Sequence, residues 1–507
     1  MTDTAPFAFS SRRSQRVAFA AAAGTVAIFR LVVLLTGGAP ATIDAGNWIA
    51  FGQALVADSS RSGELVYPPL VPLLTYGATT ALGFQTGVAV TGALSSVMPG
   101  AGVFWALGRC QIGRVRLVAS ILMLGVGSVG EAAAWGGFPQ LIGFGLLPVA
   151  VVAVDRWLSK PSVRAVIVPS CLVFAVFATS HFVALILVVA LPVVLARHLL
   201  LAGTALKPRL ALMAKAALLV VPLLLLASTY WKLAGAAFGD DNAFAELDDL
   251  TWGNVLDRLE HVYAEWPLLW RLLVPLSAIT PFVKWAPKHG AAVRLVRVLW
   301  FALIVVSAVT RESRYLYLVP LIALVASSIW LEELEARTYG MSRRTRGVVV
   351  AAVGICAVWQ MTAGIGLFDD QRYFYGPLTR DLTAAIETAG DATTDGRRIA
   401  VPSLDGTPVG WWVEALGESE ALYGSSLRWL VFPDEIERAT AANRVFRPDF
   451  PASDSLGLLR EADVETIVLP RTWRWFDYDA VTRWAYENEL ETLLVNADAV
   501  VLRVGLG

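Results

Sequence analysis

Charge is what this chain has least of. Of its 507 residues only 16% are Asp, Glu, Lys or Arg, against 56% hydrophobic, whereas a water-soluble domain carries about a quarter charged. A soluble core of this length is excluded, because it would interleave charge within its apolar runs. Here the apolar residues come in blocks of about 20, enough to cross about 30 Å of hydrocarbon as helix. Cysteine is scarce as well. Cys110, Cys171 and Cys356 lie in or beside those blocks, so neither a disulfide framework nor a Cys/His metal cluster is available. A Walker motif, a GxSxG nucleophile turn and a basic nucleic-acid face are also missing. Nucleotide-driven transport, serine hydrolysis and nucleic-acid binding therefore lack sequence support.

The charge that is present is divided between two parts. From Phe368 onward there are 13 Arg, no Lys and 24 acidic residues, a balance of −11, while the preceding part has 28 basic and 18 acidic residues, a balance of +10. Two parts so different meet different surroundings. Residues 1–367 read as a membrane domain and residues 368–507 as a solvated one.

The apolar blocks predict about eleven spans of membrane-crossing length: 17–38, 86–108, 115–133, 138–155, 165–181, 183–200, 212–230, 267–285, 295–310, 315–333 and 347–367. The first follows Arg12, Arg13 and Arg16 but is too long for a signal peptide's apolar region. Tyr67–Leu82 is apolar enough to be a twelfth span, and charge decides against it. With that segment held on the outer surface as an interfacial helix, 21 basic residues fall inside and five outside, namely Arg61, Lys232, Arg258, Arg311 and Arg314. That is the positive-inside bias. It puts the N-terminus in the cytoplasm and the C-terminal domain outside a cell (plasma) membrane. The latter reads as α/β, with strands at Arg398–Leu404, Thr466–Leu469 and Leu493–Val504 and helices at Gly376–Ala389, Asp434–Phe446, Ser453–Ala462 and Asp479–Asn488.

Asp44 is the leading candidate for chemistry. It lies just past the outer end of the first span, in TIDAGNWIAFGQAL, where a carboxylate at the water–lipid boundary can take a proton from an acceptor hydroxyl. Its bland alternative is an N-cap for the short helix that follows. Arg30, deep in the first span, either serves a buried structural pair or helps hold an anionic lipid headgroup. Arg311 and Arg314, in TRESRYLYLVP, stand at the depth of a lipid phosphate, which the arginine fork suits. Snorkelling and pairing with Glu312 is the competing reading. In GEAAAWGGFPQ, Glu131 can ligate a divalent cation or hold a sugar hydroxyl. Trp135 can stack on a sugar ring, or simply anchor at the interface. His181 can meet a phosphate or sugar, or be an ordinary loop histidine. The acidic loop with Asp240, Asp241, Glu246, Asp248 and Asp249 reads as solvated, since no ligand spacing supports a metal there.

This layout resembles the glycosyltransferase C superfamily, multi-span enzymes that use polyprenyl-phosphate sugars. The resemblance rests on Arg30 in the first span, Asp44 opening the first outer loop, Tyr67-Pro68-Pro69-Leu70, Arg109 closing the next span, and Arg314-Tyr315-Leu316 with Pro320. It covers about residues 17–333. It implies a GT-C-like α-helical membrane protein with an extracytoplasmic α/β domain, Asp44 as base or metal ligand, and Tyr315 beside the phosphate-binding Arg314. The chain departs from the pattern where Ala45, Gly46 and Asn47 follow Asp44, and where Glu131 stands without a second acid. These departures leave metal dependence open, with a divalent cation as the one candidate cofactor.

The implied reaction moves a sugar from a polyprenyl-phosphate donor to a glycan, lipid or protein acceptor on the outer face. Trp411, Trp412, Trp473 and Trp475 either stack on the acceptor glycan or form core. The rivals are a lipid or glycan transporter and an envelope assembly protein. A transporter needs charges distributed along its spans, and Arg30 is the main deep one.

Overall fold

In the computed structural model the described residues are 11–36, 42–57, 67–201, 206–238, 253, 268–310, 312–338, scattered positions from 348 to 376, 378–402, 409–423, 433–471 and 477–505. Helices dominate. In chain order they begin with α1 (Arg12–Leu35), α2 (Ala45–Ala57), α3 (Leu70–Leu82), α4 (Phe84–Arg109), α5 (Val115–Leu124), α6 (Gly127–Trp135) and α7 (Phe138–Ser159). They continue with α8 (Ile167–Thr179), α9 (His181–Leu201), α10 (Leu206–Ala217), α11 (Ala227–Phe238), α12 (Leu268–Ile279), α13 (Gly290–Thr310) and α14 (Val319–Thr338).

Among the described residues six helical stretches are long and apolar enough to cross a membrane, and two bent pairs bring the number up to eight. This is fewer than the eleven expected. Helices α1, α4, α7, α9, α13 and α14 account for the six. The expected span 115–133 is broken between α5 and α6 with a 41° bend, and 212–230 is broken with a 43° bend. At 165–181 and 267–285 the structure has only the short helices α8 and α12, and the expected span 347–367 lies mostly outside the described residues. Helix α3 has 13 residues, a length of about 20 Å, so it is too short to cross.

The outward faces of these helices are apolar. Ile28 and Ile304 are 63% and 62% exposed, with Val32, Leu185 and Phe301 similarly placed. In water each such side chain forgoes roughly 1.5–3 kcal/mol of burial, whereas lipid tails accept it. Inside, α4 and α7 pack along each other at the centre of the largest core, which Leu107, Phe144, Leu299 and Ile322 help fill.

Arg30 is fully buried in this core, at 0% exposed. Its guanidinium donates to the carbonyls of Leu124, at 2.8 Å, and Ser96, at 3.2 Å. Leu124 ends α5, where the helix has no further turn to use its carbonyl. Arg30 thus caps the break between α5 and α6.

The C-terminal part is a three-layer α/β unit. Its helices are α15 (Arg380–Ala392), α16 (Gly410–Gly417), α17 (Pro433–Val445), α18 (Ser455–Glu461) and α19 (Tyr478–Glu487). Its strands are β1 (Arg398–Ala400), β2 (Glu420–Leu422), β3 (Val464–Pro470), β4 (Glu491–Val495) and β5 (Ala499–Arg503). The sheet order is β2-β1-β3-β5-β4, with β1 parallel to β2 and β3, and β5 antiparallel to β3 and β4. Central β3 is buried nearly throughout, as a strand covered on both faces must be. The expected strand Leu493–Val504 is instead a hairpin, because Asn496 turns the chain. Its side-chain oxygen accepts from the N–H groups of Asp498, at 3.1 Å, and Ala499, at 2.8 Å.

Candidate active site

After α1 the chain is next described at Thr42, whose hydroxyl accepts the Ala45 N–H at 3.3 Å and so helps close the first turn of α2. Asp44 is held by its backbone instead. Its N–H donates to the Trp135 carbonyl at 2.9 Å, and no described donor bonds its carboxylate. The capping alternative for Asp44 is therefore not used among the described residues.

The opposing turn is shaped to receive Asp44. Gly136 adopts φ +97°, and a Cβ there would lie 3.0 Å from the Asp44 Cβ, so a side chain is disfavoured by conformation and by space. The Gly136 carbonyl accepts from the Trp48 indole at 2.7 Å. Two backbone-directed bonds thus fix the start of α2 against the end of α6.

Aromatic rings wall the site. Trp48 lies 4.8 Å from Tyr67, and Tyr67 meets His181 edge-on at 5.2 Å. His181 packs on Phe182 at 4.2 Å. The Arg314 guanidinium stands 5.1 Å from the Phe182 ring and 5.9 Å from the Trp135 ring, close enough for cation–π attraction. Arg314 also pairs with Glu312 at 3.7 Å. Its charge reaches Asp44: burial pushes the Asp44 carboxyl up to about 7, and Arg314 opposes that rise. Tyr67 is raised by burial, then by the Asp44 charge, with Arg314 again opposing.

The structure therefore brings Asp44, Trp135, His181 and Arg314 into one neighbourhood. Tyr315 and Glu131 make contacts of their own beside it. Tyr315 is buried against Phe182 at 5.8 Å, because the 3-10 turn Ser313–Leu318 sends it into the core while Arg314 faces Trp135. Glu131 accepts from the Tyr375 hydroxyl at 3.0 Å. Arg311 lies outside the described residues, as do Trp473, Trp475 and the acidic positions 240, 241, 246, 248 and 249. Trp411 and Trp412 are buried in a core that α15, α16 and α2 share, which is the core reading. No group of three or more His, Cys, Asp or Glu is placed to hold a metal among the described residues. Sequence reasoning overlooked Trp48, Phe182 and Tyr230, whose hydroxyl donates to the Phe177 carbonyl at 2.8 Å. Aromatic residues in apolar segments give no local signal that separates wall from core.

The fold is that of the GT-C membrane glycosyltransferases. The chain is similar to ArnT from Cupriavidus metallidurans in the apo state, with TM-score 0.56 and 15% identity over 96% of this chain and 99% of that one. It is equally similar to the same protein bound to undecaprenyl phosphate, with TM-score 0.56 and 13% identity over 98% and 99%. A third likeness is to the archaeal oligosaccharyltransferase AglB from Archaeoglobus fulgidus, in complex with an inhibitory peptide and a dolichol-phosphate. There the TM-score is 0.54 and the identity 12%, over 92% of this chain and 70% of that one. No protein-family model and no curated protein matches the sequence.

Proposed function

We propose that this chain is a membrane glycosyltransferase that moves a sugar from a polyprenyl-phosphate donor to an acceptor on the outer face of the membrane. The observation that carries the reading is that Asp44 and Arg314 share one aromatic-walled neighbourhood, in a fold whose solved examples include one bound to undecaprenyl phosphate and one in complex with a dolichol-phosphate.

In the proposed step an acceptor hydroxyl attacks the anomeric carbon of the donor sugar. The new carbon–oxygen bond forms as the bond to the phosphate oxygen breaks, and that electron pair leaves with the polyprenyl phosphate. Asp44 takes the hydroxyl proton. A carboxyl poised near pH 7 suits a general base at neutral pH. Arg314 offsets the charge that develops on the phosphate, in a protein-enclosed site where such stabilisation is strongest. Trp135 and His181 flank the sugar, and Tyr67 with Trp48 completes the wall. Glu131, on the same helix as Trp135, accepts from the Tyr375 hydroxyl.

The test is incubation of the purified full chain in proteoliposomes with radiolabelled polyprenyl-phosphate sugars and envelope glycan acceptors. Label transferred to the acceptor, with release of polyprenyl phosphate, is expected. Donor bound or moved across the bilayer with its glycosidic bond intact would overturn the transferase reading in favour of a carrier.

A further inference from the structure

A second polar centre lies at the other end of the same helices. Helix α9 begins at His181, beside the Asp44 site, and reaches Arg197 about 24 Å further on at 1.5 Å per residue. There, between the ends of α4, α7 and α9 and the start of α13, is a cavity of about 520 Å³. Six cations line it: Arg109, Arg156, Arg197, Lys284, Arg294 and Arg297. Its one lining carboxylate is Asp155.

Asp155 is already engaged. It accepts from Arg197 at 3.2 Å, contacts His198 at 2.9 Å and accepts from Arg294 at 3.0 Å. Arg297 is bound to the Pro281 carbonyl at 2.6 Å. That leaves Arg109, Arg156 and Lys284, which no carboxylate among the described residues pairs. Arg109 lies over the Trp105 ring at 4.6 Å, and Arg156 makes only a long bond to the Arg109 carbonyl, at 3.4 Å. Like charges gathered in a partly enclosed space repel one another unless an anion joins them. Arginine forks around a concavity favour phosphate oxygens in particular.

We infer that this cavity binds a phosphate-bearing anion, the headgroup of an acidic phospholipid in the leaflet opposite the Asp44 site. The phosphate sits among Arg109, Arg156 and Lys284, and the acyl chains run out along the apolar flank of α13, where Phe301 and Ile304 are exposed. Only the naming of that leaflet as the inner one rests on the proposed orientation. Binding itself does not depend on sugar transfer, so the two readings fail separately.

The experiment incubates the purified full chain in detergent with equal amounts of phosphatidylglycerol and phosphatidylcholine, and reads bound lipid by native mass spectrometry. The wild type is expected to keep a phosphatidylglycerol under conditions that strip phosphatidylcholine. Arg156→Gln with Lys284→Gln should lower that occupancy roughly tenfold or more, the loss of charge-assisted bonds. Arg156→Lys should retain it. So should Lys160→Gln with Arg164→Gln, which removes equal charge from exposed positions nearby. Size-exclusion profiles and thermal unfolding establish that the variants fold. In a parallel arm, inorganic phosphate is titrated into the protein in phosphatidylcholine nanodiscs. Saturable stabilisation by phosphate that the cavity variant lacks, with no lipid retained, would assign the same chemistry to a free phosphate. The inference is overturned if neither probe binds, or if the exposed-residue variant loses lipid as fully as the cavity variant.

Discussion

The indole N–H of Trp412 donates to the carbonyl of Thr42 at 3.0 Å, so the C-terminal domain grips the loop carrying Asp44 from two residues upstream. Gly46 lets the two surfaces meet, since a Cβ there would lie 2.9 Å from Trp412. Trp412→Phe removes the donor and leaves a buried carbonyl unpaired, a cost of about 1–3 kcal/mol. Because the loop then loses its fixed position, kcat is expected to fall about tenfold with donor KM little changed. Steady-state kinetics on the folded variant checks this, and a KM effect alone would contradict it.

Gly136 tests the same placement from the opposite side. Gly136→Ala adds a Cβ 3.0 Å from that of Asp44 in a left-handed conformation that costs about 1–2 kcal/mol. Transfer should drop at least about tenfold for a displacement of the base. Gly77→Ala, which meets open space on a helix, should leave transfer unchanged.

The pH profile follows from the Asp44 carboxyl being pushed up to about 7. A base must be deprotonated to act, so kcat/KM should rise with pH, reach a plateau above about 7, and fall about tenfold per unit below it. Arg314 favours the carboxylate. Arg314→Gln should therefore move the midpoint to higher pH as well as lower the plateau. A rate measured from pH 5 to pH 9 reads both, and an unchanged midpoint would separate Arg314 from Asp44.

The C-terminal α/β unit buries a charged cluster. Arg438, 1% exposed, donates to the Glu414 carboxylate and, at 2.7 Å, to the Ala421 carbonyl. The Asp434 and Glu435 carboxylates add to its preference for the charged form, which burial opposes. Glu414→Gln leaves a buried cation short of its nearest partner, and about 3–5 kcal/mol of domain stability should go. Thermal unfolding or limited proteolysis of the full chain measures it, with cleavage expected first in residues 378–505.

Much of this was legible in order along the chain. Apolar blocks marked the long helices, and Tyr67–Leu82 holds the short apolar helix α3. Asp44, Trp135, His181 and Arg314 were each marked by a polar or aromatic group at the edge of an apolar block. Their convergence was not legible, since the bond from Asp44 to Trp135 joins segments 91 residues apart. The bend within 115–133 was not legible, because hydropathy averages along the sequence and cannot see α5 break before α6. The bond from Arg30 to the Leu124 carbonyl was hidden for the same reason, as that carbonyl lacks an in-helix partner only because of the break. Strand β2, three residues long and parallel to β1, carries no local pattern, and its pairing arises only when distant segments meet.

The central claim is that Asp44 is the base of a sugar transfer. Its most direct test is single-turnover transfer from a radiolabelled polyprenyl-phosphate sugar, comparing the wild type with Asp44→Asn at matched amounts of folded protein. The account predicts that Asp44→Asn binds the donor as the wild type does and forms product at least about a hundredfold more slowly. Transfer by Asp44→Asn at the wild-type rate would contradict it.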